Sequence, residues 1–167
     1  MNDPIEKHFV VDSMLGKLTK WLRILGFDTD YKQLIDQDQI EAIRRRGFLL
    51  ITRNRKWSNQ SGVLYLTAND PYSQLQEVAR RVPIQLHEVR LFQRCILCND
   101  KLQEISREEA SGQVPDYILE THTSFHQCQA CRRVYWPGSH PKRVVQLLQR
   151  QLGWAVSKDS EVRIKIT

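Results

Sequence analysis

The chain has 167 residues, 41% hydrophobic and 26% charged, which suits a soluble globular domain, alone or with a small module. No stretch approaches the roughly 20 apolar residues of a membrane span, and the opening MNDPIEKHFVVD lacks the basic start and apolar run of a signal peptide, so a cytoplasmic setting with no membrane partner is expected. The formal charge of +6 favours attraction to polyanions and says nothing about fold.

His8–Val11 reads as a short strand ending at Asp12, with Ser13 placed to cap the helix that follows. Apolar residues at 14, 15, 18, 21, 22 and 25 form a helical stripe that Gly26 closes, which assigns Met14, Leu18, Trp21, Leu22 and Leu25 to the core. Gly16 within that helix costs roughly 1 kcal/mol relative to Ala, so close packing or a close ligand approach is expected there. Phe27–Tyr31 is a second short strand. Asp36–Arg46 is a second helix, with Ile40 and Ile43 inward and Gly47 ending it. Phe48–Thr52 has no polar alternation, as expected of a strand covered on both faces. Val63–Thr67 is a fourth strand, and Asp70-Pro71 opens a third helix through about Arg81. This alternation predicts a mostly parallel sheet with helices on both faces.

The pattern stops near Pro83. A first domain is placed at residues 1–90 and a second module at 91–150, with hairpin-like segments between two cysteine pairs. From about Pro141 a basic amphipathic helix is expected, with Val144, Val145, Leu147, Leu148 and Leu152 apolar. Residues 151–167 form a polar tail with no assigned role.

The four cysteines come as Cys95-Ile-Leu-Cys98 and Cys128-Gln-Ala-Cys131. Two such knuckles can wrap one tetrahedral ion, and Zn²⁺ with four thiolates is the usual closed, structural case. His122, His126 and His140 compete as ligands, but surface or packing roles fit them better. Tyr135 and Trp136, beside Arg132 and Arg133, suit either base stacking or the module's core.

Asp12 ends the first strand, Asp36 and Asp38 open the second helix, Asn54 follows the third strand and Asp70 follows the fourth. In a doubly wound sheet these ends converge on one edge. Carboxylates there suit Mg²⁺ or Mn²⁺, and such ions assist phosphodiester cleavage. Lys17, Lys20, Arg23, Arg53 and Arg55 are placed to hold phosphates. Helix capping is the competing explanation for these acidic residues, and capping or exposure is preferred for Asp28, Asp30 and Asp38.

Three stretches, in order, resemble one family. VDSMLGKLTKWLRILGFDTDY (11–31), LLITRN, and CILCNDKL with FHQCQACRRVYWPGSH are similar to the PIN-like ribonuclease domain named after the C-terminal region of the exonuclease Mut-seven. The resemblance covers about residues 8–150. It implies a PIN-like three-layer α/β/α fold followed by a four-cysteine zinc ribbon, and metal-dependent ribonuclease activity. Carried over by position, it makes Asp12 the first metal-binding carboxylate and Asp36 the second, eleven residues before Gly47, with Asp38 as the fallback. Position 54 is the third, where this chain has Asn in place of the family's Asp, and Asp70 is the fourth. Asn can offer a carbonyl oxygen but no charge. Three readings therefore stay open: a ribonuclease, an RNA-binding module with weak or no catalysis, and a module for a protein partner.

Overall fold

β1 (His8–Asp12) and β3 (Leu49–Thr52) are the interior strands of a four-stranded, all-parallel sheet. They carry the continuous buried apolar runs Phe9-Val10-Val11 and Leu50-Ile51. The edge strands are β2 (Asp28–Lys32) and β4 (Val63–Tyr65), and the order is β2-β1-β3-β4. In this computed structural model, residues 6–34, 36–136, 146–147, 149–150 and 152–153 are described.

α1 (Gly16–Ile24) carries the chain from β1 out to β2, and α2 (Gln37–Arg45) carries it back past β1 to β3. Right-handed crossovers in opposite directions put their helices on opposite faces. The packing agrees. Ile40 and Ile43 of α2 share a core cluster with Val10, Leu50 and Trp57, while Phe9, one residue out of phase with Val10, meets Phe27 edge-on at 5.4 Å. α3 (Pro71–Arg81) joins the α1 layer, its Tyr72 ring 5.6 Å from Trp21. The result is the expected α/β/α arrangement around a parallel sheet.

One element boundary changes what the sequence implied. The helix starts at Gly16, because Ser13–Leu15 form a tight 3-10 turn at the strand tip. Met14 therefore swings out and is 56% exposed instead of joining the core, whereas Leu18, Leu22 and Leu25 are buried. Ser13 caps nothing; its Oγ lies 3.4 Å from Asp12 Oδ1. Gly16 lies against the Tyr31 hydroxyl, which a methyl group there would approach to 3.2 Å, so close packing explains this glycine.

The chain divides into two compact units, one of Met1–Arg23 with Phe27–Val89 and one of Ile24–Gly26 with Arg90–Thr167. In the second, β5 (Gln103–Ile105), β6 (Phe125–Gln127) and β7 (Val134–Tyr135) form an antiparallel sheet in that order. Two short helices, α4 (Arg107–Ala110) and α5 (Asp116–Thr121), stand between β5 and β6 where only hairpin-like segments were expected. Ser106 and Glu109 start α4 with a reciprocal capping box. Ala110, Val114, Ile118 and Phe125 make a small core. Most of the expected basic helix, from Pro141 to 145 with 148 and 151, the Gly138-Ser139-His140 motif, and the tail from 154 lie outside the described residues.

Candidate functional site

Strand register builds the first site. Lys32 stands opposite Asp12, and Tyr65 opposite Thr52. One step beyond the Val11–Ile51 pair, Asp12 and Thr52 become neighbours across β1 and β3. The Thr52 hydroxyl donates to Asp12 Oδ2 at 2.6 Å, and it accepts from the Asn54 amide at 3.0 Å. Asp12 is only 6% exposed. Among the described residues no cation lies within ion-pair distance of it. A buried carboxylate with hydroxyl partners and no counter-charge is costly to the fold unless a cation serves it.

The other expected acidic residues begin helices or turns. Asp36 caps α2 by accepting from the Gln39 amide at 2.9 Å. Because α2 packs on Val10 and Leu50, on the face of Asp12 and Thr52, its N-terminus approaches the same edge. Asn54 accepts from the Lys56 amide at 3.0 Å and so starts the short turn Arg55–Trp57. Asp70 caps α3 through the Tyr72 and Ser73 amides. Hydrogen bonds from Ser73, then Tyr72, hold its carboxyl below the usual 3.8. It reaches the strand tips from the α1–α3 layer, opposite α2. Asp12, Asp36 and Asp70 are not drawn into one tight cluster: neither described group of close-set metal-binding side chains contains them.

The basic residues divide. Lys17 is exposed on α1. Arg53 is half-buried; its Nη2 donates to Asn69, beside Asp70, and its buried Nε has no partner among the described residues. Arg23 does not face solvent. It is buried, and its Nε and Nη2 donate to the Thr29 carbonyl at 3.0 and 2.9 Å, so its charge serves the α1–β2 junction instead of a phosphate.

The second site is sulfur. The four cysteine Sγ atoms all lie within 4.8 Å of one another, and Cys95 and Cys131 are 3.7 Å apart. Four Zn–S bonds of about 2.3 Å in a tetrahedron set sulfurs about 3.8 Å apart, so the donor set fits such an ion. The two knuckles repeat one geometry. The amide four residues on, Asn99 or Arg132, donates to the first cysteine's carbonyl at 2.9 or 2.8 Å, and both residues adopt positive φ. Tyr135 Oη lies 3.1 Å from Cys95 Sγ. Burial acts to raise the Cys95 thiol, but Tyr135 and the Cys98 and Leu97 amides outweigh it and bring the thiol to about 7. Burial, with the neighbouring sulfurs, pushes Cys98 up to about 12. Four sulfurs this close would all ionise only around a cation. His122 instead packs against Thr121 and the Ile118 carbonyl.

A family model described as Mut7-C RNAse domain matches residues 7–148. The chain belongs to that family. No curated protein and no solved structure matches it. The Mut7-C match runs through both units, from before β1 to beyond the second cysteine pair. Among the described residues, no helix of this Mut7-C domain is long and apolar enough to cross a membrane.

Sequence reasoning missed residues that only register reveals. Thr52 and Lys32 become Asp12's neighbours through strand pairing. At the opposite end of the strands, His8 sits 3.5 Å from Asp28 and 3.2 Å from Asp30, a group close enough to hold an ion. Asp-Thr-Asp on β2, alternating onto the face of His8, was the signal available.

Proposed function

We propose that the chain is a metal-dependent ribonuclease acting at the Asp12 edge, with the four cysteines holding a structural Zn²⁺. One observation carries the reading: Asp12 is buried at the tip of a central strand with hydroxyl partners and no described counter-charge. The family gives RNA as the substrate class. Asp12, from β1, and Asp36, from the start of α2, would hold Mg²⁺ or Mn²⁺. When bound, the ion supplies Lewis-acid stabilisation of phosphodiester charge and a more acidic water.

The chain's own groups do the rest. The Thr52 hydroxyl engages Asp12 Oδ2 at 2.6 Å, while Oδ1 has only the long 3.4 Å contact from the Ser13 hydroxyl, which a cation would replace. Lys17 and Arg53 neutralise phosphate from the α1 start and the β3 tip. Asn54 contributes a neutral oxygen at most. Asp70, the residue after the Arg53 partner Asn69, is the fourth acidic position and caps α3 at this edge. The cysteine unit, with its basic surroundings, aids RNA binding in a cytoplasmic setting where thiols stay reduced.

A second reading has an observation of its own. The Asn54 carbonyl is engaged with the Lys56 amide, so the third family position offers neither charge nor a wholly free oxygen. On that reading the chain binds RNA without turnover. Cleavage of labelled single-stranded RNA with Mn²⁺ or Mg²⁺ separates the two. The ribonuclease reading expects wild type to cut and Asp12→Asn to be silent. The binding reading expects a silent wild type and cutting by Asn54→Asp.

A further inference from the structure

Tyr31 is a large aromatic residue left 48% exposed, one register step from the Asp12 edge, opposite Val11. It is not loose. Its hydroxyl donates to the Ser13 carbonyl, and its rim lies against Gly16, where an added methyl group would meet Oη at 3.2 Å and Cζ at 3.6 Å. The ring is thus fixed at its hydroxyl end while much of it faces solvent. Met14, directly after Ser13, is exposed on the turn that Ser13 begins, and Lys17, directly after Gly16, is exposed at the start of α1. A pre-fixed, half-exposed ring resting on the glycine that precedes an exposed lysine, on a chain of net charge +6, matches a ligand that is flat on one side and anionic on another.

We propose that Tyr31, Met14 and Lys17 form a subsite for one unpaired nucleotide of RNA on the α1 side of the Asp12 edge. The base stacks on Tyr31 against Met14, and the adjoining phosphate meets Lys17. Stacking on aromatic rings tolerates any base and requires an unpaired one, because a duplex hides its base faces. The ring's two anchors order it before the ligand arrives, which lowers the entropic cost of binding. This subsite deepens the ribonuclease reading and rests on it for RNA as the ligand. It makes Tyr31 a selector of single strands next to the cutting edge.

The test measures affinity of the zinc-loaded full chain for a labelled oligouridine and for an RNA duplex of equal length, without added Mg²⁺ or Mn²⁺. Tyr31→Leu should weaken single-strand binding about tenfold and leave duplex binding unchanged. Tyr31→Trp should restore the single-strand affinity. Equal single-strand affinity in wild type and Tyr31→Leu, equal loss for both RNAs, or no recovery with Trp would each overturn the subsite. So would a wild type that does not bind oligouridine. The two readings fail separately. A wild type that binds but never cuts, with the Tyr31→Leu loss intact, sinks the nuclease and keeps the subsite. A wild type that cuts, with Tyr31→Leu binding and cutting equally well, does the reverse.

Discussion

At the scale of single residues, Thr52 carries more than its size suggests. Its buried hydroxyl serves Asp12 and Asn54 together. Thr52→Val keeps the shape and removes both bonds, leaving a buried carboxylate oxygen and an amide without partners. The expected cost is about 1–3 kcal/mol, read as a lower urea midpoint with an unchanged slope. Tyr135 plays a comparable part at the sulfur centre. Tyr135→Phe removes the hydroxyl 3.1 Å from Cys95 Sγ and should speed zinc transfer to a chromogenic chelator without changing zinc stoichiometry. Asp12 itself was legible in the sequence, since a lone Asp ending an apolar run has few reasons to be there. Arg23 was not: lying off the apolar stripe made it look free, but its guanidinium turns back to the Thr29 carbonyl in β2, a contact no local pattern encodes.

At the scale of elements, Asp36 and Asp70 cap helices and, on the proposed reading, also serve the site, and substitution can separate the two roles. Asn caps helices about as well as Asp, so Asp36→Asn should preserve α2 while removing a ligand charge. Asp70 adds a pH signature. Its folded pKa is depressed, so its contribution to α3 is present above the unfolded carboxyl pKa and is lost as pH falls through the folded one. Asp70→Ala should therefore lower Tm at pH 7, and the gap from wild type should narrow below pH 3.8. Most strands and helices of the first unit were legible because Gly26, Gly47 and Asp70-Pro71 punctuate it and its apolar periods are clean. Met14 was misplaced because a 3-10 turn and the helix after it share nearly the same apolar period. α4 was passed over although Ser106-x-x-Glu109 announces it, since a four-residue helix has too little period to see. The His8–Asp28–Asp30 group needed the β1–β2 register, which the sequence does not state.

At the scale of the whole molecule, the two units draw on different sources of stability. The first buries strands β1 and β3 between helical layers, with an extended apolar core. Among its described residues the second has a four-residue buried cluster and short strands, so a metal held by the four cysteines would supply much of its folding energy. Stripping zinc should abolish amide-exchange protection at Phe125 and Gln127 while the amides of Val10 and Ile51 stay protected. The family match spans both units, and the proposed reading places the chemistry in the first. That assignment rests on a cation at Asp12, and Mn²⁺ binding read by electron paramagnetic resonance tests it most directly. Wild type should take up Mn²⁺, Asp12→Asn should lose it, and Asn54→Asp should bind it more tightly. Equal Mn²⁺ uptake by wild type and Asp12→Asn would contradict the account.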